Sequence, residues 1–243
     1  MENDLASAGI LLAYYLIIVA LLPVFLKYCF KVQTEYIRKT HHMAYSFSIF
    51  LLLNLFSTWY YAVGAAFLLM LLGYPFLLLV ENTSFYRSYF VDRTKGKGEL
   101  RKQLIYVQSS FALLIFIFWG LLGADWQYIA AVAVMGWGFG DAAAALAGKY
   151  FGKRRMLHRY IEKAKTFEGT IAMITAAGLA TFFTLLFYAG LPWLQSLLIA
   201  LVAAPVCGIV ELFSKQGSDT LTVPLSASAV IIPMVHFFSI LGW

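Results

Sequence analysis

The sequence predicts an all-α integral membrane protein of about eight transmembrane helices, and three observations carry that prediction. The chain of 243 residues is 62% hydrophobic and only 12% charged, whereas an ordinary soluble domain is about a quarter charged. Its mean hydropathy is +0.79, so it lacks the polar surface to cover itself in water. Its Lys and Arg are confined to a few segments between long apolar runs. Together these exclude a soluble α/β enzyme, a disordered tail and a disulfide-stapled secreted domain. No linker, soluble insertion or tandem repeat is visible, so residues 1 to 243 are expected to form a single polytopic membrane domain.

A hydrocarbon core takes about 20 apolar residues per helix, and runs of that length set the spans. Ala6 to Leu26 is the first, with Pro23 near its end. Met43 to Val80 contains no formal charge and is long enough for two helices joined near Ser57, Thr58 and Trp59. Leu104 to Gly123, Trp126 to Ala147, Gly169 to Gly190, Trp193 to Phe213 and Val223 to Leu241 supply five more. The residues after Met1 are acidic where a secretory signal would be basic, so the first run is read as a retained span. Cys29 and Cys207 sit in or beside apolar runs without a CxxC partner, which supports neither a zinc site nor a redox motif.

All 18 Lys and Arg fall in four segments: Lys27 to Lys39, Arg87 to Lys102, Lys149 to Lys165, and Lys215. With eight spans these are alternate loops, hence all on one face, and the opposite loops carry none. By the positive-inside rule that face is cytoplasmic and both termini lie outside. The net charge of +6 is therefore a topology signal first. The same face would attract anionic headgroups or a nucleotide; no nucleic-acid partner is expected.

Ionisable residues within or beside the spans carry the chemistry, because a charge near the bilayer centre costs about 2.5 to 3.5 kcal/mol even on the lenient insertion scale. Asp141 follows Gly136 and Gly140 and precedes four alanines, on a helix whose small residues admit a neighbouring backbone closely. One reading makes it a packing acid bonded to the next helix. The other notes that it lies within a few turns of Gly148, Lys149, Gly152 and Lys153, a distance that suits a metal ion held between carboxylate and phosphate. Glu211 ends the seventh span and either pairs with Lys215 at i, i+4 or joins Asp141 and Asp219 as hard oxygen ligands for Mg²⁺ on phosphates. Lys149, Lys153, Arg154, Arg155, Lys163 and Lys165 would then neutralise a polyphosphate, or simply form a solvated loop. Thr166 is an N-cap candidate, with Glu168 and Gly169 in the first turn, and that helix start doubles as an anion site. Arg38, Lys39 and His42 form a second basic cluster, where His42 would hold a phosphate or orient a hydroxyl. There is no GxxxxGK[ST] loop, kinase HRD or DFG set, HExxH or GxSxG elbow.

In order and spacing, these elements resemble the integral-membrane family of dolichol kinase, phytol kinase and CTP-dependent diacylglycerol kinase. The matching residues are Gly140 and Asp141, Gly148 to Lys153, Lys165 to Gly169, and Glu211 with Gly217 to Pro224. Arg38 to His42 looks like that family's early RKxxH element. The likeness covers most of the chain from about residue 35 to 225. It implies transfer of the terminal phosphoryl group of a nucleoside triphosphate, commonly CTP, to the hydroxyl of a lipid alcohol with Mg²⁺. It also implies catalytic roles for Asp141, Asp219 and His42, and metal binding by Asp141, Glu211 and Asp219. Arg38, Lys39, Gly148, Lys149, Gly152, Lys153, Lys165, Thr166, Glu168 and Gly169 are implied to bind nucleotide or phosphate. The expected partners are the triphosphate, the lipid alcohol and membrane lipids, with the oligomeric state left open.

Phosphatidate cytidylyltransferases are similar through the GD, GK and KTxEG elements, but their C-terminal KD and DR-x-D signature is absent. The chain also departs from many polyprenol kinases, carrying Ala145 where they have a second acid and Thr220 where they have Asn. A transporter in which Asp141 and Glu211 line an ion path is a third reading; it predicts polar residues along the whole depth of several helices, whereas the ionisable groups cluster near one face.

Overall fold

A computed structural model describes residues 2–81, 83, 98–156, 158–162, 165–215 and 217–242. Among them seven helices are long and apolar enough to cross a membrane: Asn3–Phe30, Trp59–Val80, Leu100–Leu121, Ala124–Phe151, Phe167–Tyr188, Trp193–Phe213 and Asp219–Ile240. The remaining expected span is a helix too, Thr34–Asn54, but it is not among those seven. It starts well before Met43, and its opening turns carry Glu35, Arg38, Lys39, His41 and His42. The described residues pack as two compact units, Met1–Leu121 and Leu122–Trp243.

In the first unit, α1 (Glu2–Tyr14) runs through a wider π-helical stretch, Tyr15–Leu21, into α2 (Leu22–Phe30). The chain then turns at Lys31, in the left-handed region with φ 50°. α3 (Thr34–Asn54) and α4 (Trp59–Val80) follow, and α5 (Glu99–Ile115) packs along α4 and is prolonged by a π-helical Phe116–Leu121. A line of buried polar groups ties three of these elements together. Gln108 of α5 donates from Nε2 to the Tyr15 hydroxyl at 2.6 Å, Tyr15 and Ser48 of α3 are 2.9 Å apart, and Ser48 donates to the Tyr45 carbonyl at 2.7 Å. Inside a bilayer no water competes for these groups, so they join helices, each bond contributing about 0.6 kcal/mol on average. At one end of the unit Asp4 accepts from the Ser57 amide and hydroxyl, both at 2.9 Å. Arg101 bonds the buried Glu81 at 2.8 Å and lies 5.5 Å over the Tyr74 ring, joining α4 to α5.

The second unit contains α6 (Tyr128–Phe151), α7 (Phe167–Phe183, prolonged by a π-helical Thr184–Tyr188), α8 (Trp193–Phe213) and α9 (Asp219–Ile240). Each packs along the next, and α9 returns against α6. Glycines show the register: Gly136 faces Thr181 while Gly148 faces Gly169, and Gly178 faces Ala204 while Gly208 faces Ile174. Numbers rising on one helix as they fall on its neighbour mean antiparallel pairs. Small residues let these backbones approach closely, as membrane helices require where van der Waals packing holds them together. α6 is the most enclosed, with every residue from Ile129 to Val134 fully buried. Asp141, further along the same helix, is partly exposed.

Candidate active site

Trp137 and Asp141 are spaced i, i+4 on α6 and so share a face. The Trp137 side chain is fully buried, and its indole Nε1 donates to Asp219 Oδ2 at 3.3 Å. Asp219 is the first residue of α9, where unpaired amides and the helix dipole favour a carboxylate. The preceding turn is fixed by Gly217 at φ 85°, by the Lys215 amide donating to Ser218 Oγ at 3.2 Å, and by a 2.8 Å bond between the Ser214 and Thr222 hydroxyls. Asp219 is thus held beside the face of α6 that carries Asp141.

Glu211, in the last turn of α8, is 4% exposed. Its carboxylate is paired with the Lys165 ammonium, which also donates to the Glu211 main-chain carbonyl at 2.9 Å. Asp141 and Asp219 both act electrostatically on Glu211, so Asp141, Glu211, Asp219 and Lys165 share one neighbourhood. The alternative pairing of Glu211 with Lys215 does not form. α8 ends at Phe213 and Ser214 is extended, which breaks the i, i+4 geometry, and Lys215 instead lies 5.8 Å from the centre of the Tyr160 ring.

The connection from α6 to α7 doubles back on itself. Met156 donates to the Lys165 carbonyl at 3.1 Å, Phe167 to the Arg154 carbonyl at 3.0 Å, and an isolated antiparallel bridge joins Arg155 to Thr166. Thr166 caps α7 by accepting from the Gly169 amide at 3.1 Å. Glu168 accepts from the Arg154 amide at 3.3 Å. The glycines serve this close packing: a Cβ on Gly169 would stand 2.9 Å from the Ala144 carbonyl, and one on Gly152 would meet the Gly148 carbonyl and Thr166 Cγ2. The Gly169 amide is therefore engaged by Thr166, and what the connection presents outward is side-chain charge. Lys149, Lys153, Arg154 and Arg155 are all exposed. Lys163 lies outside the described residues, as do Arg87, Arg93, Lys95 and Lys97.

The early basic cluster belongs to the first unit. Arg38 pairs with Glu35 within α3, and Lys39 and His42 are buried. Gln103 Nε2 lies 3.1 Å from His42 Nδ1.

Among the described residues no three His, Cys, Asp or Glu side chains gather closely enough to hold a metal ion between them. Mg²⁺ does not need such a cage: it keeps several waters and takes one or two carboxylates plus substrate phosphates. Asp141 and Asp219 fit that donor chemistry. Trp137 was not singled out from sequence; the available signal was a tryptophan one turn before an intramembrane acid, since a buried indole N–H needs an acceptor.

No family model matches the chain, and no solved structure does. Among curated proteins, a phytol kinase from Synechocystis is 28% identical over 145 residues. Over that stretch the chain is similar to a phytol kinase. The match covers 60% of this chain and 60% of the phytol kinase, so the chain spans less than two thirds of its relative in the aligned region.

Proposed function

We propose that the protein transfers the terminal phosphoryl group of a nucleoside triphosphate, with CTP favoured, to the hydroxyl of a lipid alcohol at the cytoplasmic face of the membrane. The observation that carries this reading is the meeting of the buried Glu211 and the part-exposed Asp141 and Asp219 with Lys165, beside the basic connection. In phosphoryl transfer, catalysis is almost entirely positioning and charge neutralisation, and these residues supply both. Asp141 and Asp219 would hold Mg²⁺, which when bound neutralises charge on the phosphates. Lys149, Lys153 and Lys165 draw the triphosphate to the same place. The lipid hydroxyl oxygen bonds to the terminal phosphorus as the bond from that phosphorus to its bridging oxygen breaks. The nucleoside diphosphate leaves, and Asp219 takes the hydroxyl proton. The parts of Arg38, Lys39 and His42 rest on the family resemblance alone.

Incubating the detergent-purified protein with CTP, ATP or UTP and a panel of isoprenoid alcohols and diacylglycerol tests this reading. Nucleoside diphosphate and a lipid phosphate are expected in equal amounts. Pyrophosphate with a CDP-lipid from a lipid phosphate would replace it with cytidylyl transfer, and ion flux in vesicles without turnover would replace it with transport.

A further inference from the structure

Glu211 belongs with the acids Asp141 and Asp219 by sequence, yet its surroundings differ from theirs. Its carboxylate is almost wholly buried, and one oxygen already carries the Lys165 ammonium. A second Lys165 N–H goes to the Glu211 main-chain carbonyl. An ammonium has three donors, so two hold it to the end of α8 and one is left to point elsewhere. The Lys165 side chain keeps 19% of its surface exposed, so that third donor has an outlet. Its main chain is fixed as well: the amide donates to the Glu162 carbonyl at 2.9 Å and the carbonyl accepts from Met156. The cap at Thr166 follows directly. A lysine carries considerable rotamer entropy, and here nearly all of it is removed before any ligand arrives.

We propose that Glu211 is a positioning residue for Lys165, presenting one ammonium N–H to the triphosphate, and that it is not a metal ligand. This rests on the phosphoryl-transfer reading above and reassigns one of its acids. A cation approaching Glu211 would have to displace a paired ammonium from a buried carboxylate. Preorganised charge of this kind strengthens ligand binding by cutting the ordering cost.

The test compares wild-type protein with Glu211→Gln, Lys165→Gln and the double variant, full-length in detergent. Rates are measured against triphosphate at saturating Mg²⁺ and against Mg²⁺ at saturating triphosphate. Glu211→Gln is expected to raise the KM for triphosphate by about tenfold or more, the scale of a lost bond to a charged group. The half-saturating Mg²⁺ concentration is expected to stay where it was. The double variant should be no worse than Lys165→Gln, because residues acting through one another are not additive. A shift in Mg²⁺ requirement with an unchanged triphosphate KM, or full additivity, would overturn the proposal. Amine-reactive labelling of Lys165, read by mass spectrometry, should increase in Glu211→Gln. If the wild type turns over no triphosphate, the functional reading fails; the labelling then still decides whether Glu211 holds Lys165, and unchanged labelling overturns the positioning role.

Discussion

In the 1–121 unit the buried polar side chains bond to one another and finish on a backbone carbonyl, Gln108 to Tyr15 to Ser48 to the Tyr45 carbonyl. In the 122–243 unit the buried acid Glu211 is bonded to a lysine that reaches the surface, and Asp141 and Asp219 lie near enough to act on it. The first arrangement runs from helix to helix and ends on a fixed backbone carbonyl, so helices are its beneficiaries. The second keeps like charges near one another and a basic connection beside them. Neighbouring carboxylates oppose folding unless something of opposite charge joins them, and Lys165 supplies such a charge here. Polar groups inside a membrane protein can thus serve cohesion or chemistry, and what separates the two here is whether the chain of bonds ends on a backbone carbonyl or on a lysine that reaches the surface.

The sharpest way to break this contrast is Asp141→Asn. It preserves size and removes the charge, so inserted protein with an unchanged melting temperature should lose activity by a factor on the order of 10² to 10³ or more, as when a preorganised charge-stabilising group is deleted. Near-normal phosphoryl transfer in that variant would make Asp141 a packing acid and place both units in the cohesive class.

Next in size is a backbone effect confined to the second unit. In Gly152→Ala the new methyl meets the Gly148 carbonyl and comes within 2.7 Å of Thr166 Cγ2. Neither can swing aside, and a destabilisation of about 1 to 3 kcal/mol is expected. Gly140→Ala meets chiefly the flexible Met173 side chain, with Ala177 Cβ at 3.2 Å, and should cost less. Melting curves of the two variants in one detergent compare them; equal losses would mean that the α6 to α7 connection is looser than its packing indicates.

Much of this was legible in the residues. Apolar runs located the helices, because hydrocarbon thickness fixes their length, and the acids stood out because a membrane helix seldom carries them. Four features were hidden for physical reasons. α3 begins at Thr34 because charged opening turns are no obstacle to a helix, only to its hydropathy. α9 begins at Asp219, ahead of the expected Val223, because Pro224 near a helix start forfeits a single bond to Thr220. The pairing of Glu211 with Lys165 spans 46 residues and depends on how the α6 to α7 connection folds over the end of α8. Periodicity speaks only of neighbours on one helix, so it favoured Lys215. The same limit hid the contact of Trp137 with Asp219.

Tyr15→Phe probes the first arrangement. It leaves Gln108 without its acceptor and Ser48 without its hydroxyl neighbour, and should lower stability by about 0.6 kcal/mol, with roughly 1.7 as an upper bound for such bonds in membranes. The KM for triphosphate should not move. A rise in KM with no loss of stability would show that the first unit's polar line takes part in binding, and the division between cohesion and chemistry would fail there.

The smallest effect expected is at the exposed rim. Arg155 is exposed, and its main chain, rather than its guanidinium, makes the bridge to Thr166. Its contribution to triphosphate binding is therefore long-range attraction through water. Arg155→Gln should raise the KM for triphosphate by about two- to threefold in low salt, and the difference should disappear near 1 M salt, where the screening length falls to about 3 Å. Glu211→Gln acts instead through Lys165, whose ammonium is held at short range in a largely buried pair, and screening by salt reaches such a pair much less. A salt titration of the two variants side by side separates a charge that attracts the triphosphate from one that fixes the group binding it. If both penalties vanish together, Lys165 belongs with the exposed basic residues, and the buried end of the helices contributes only its carboxylates.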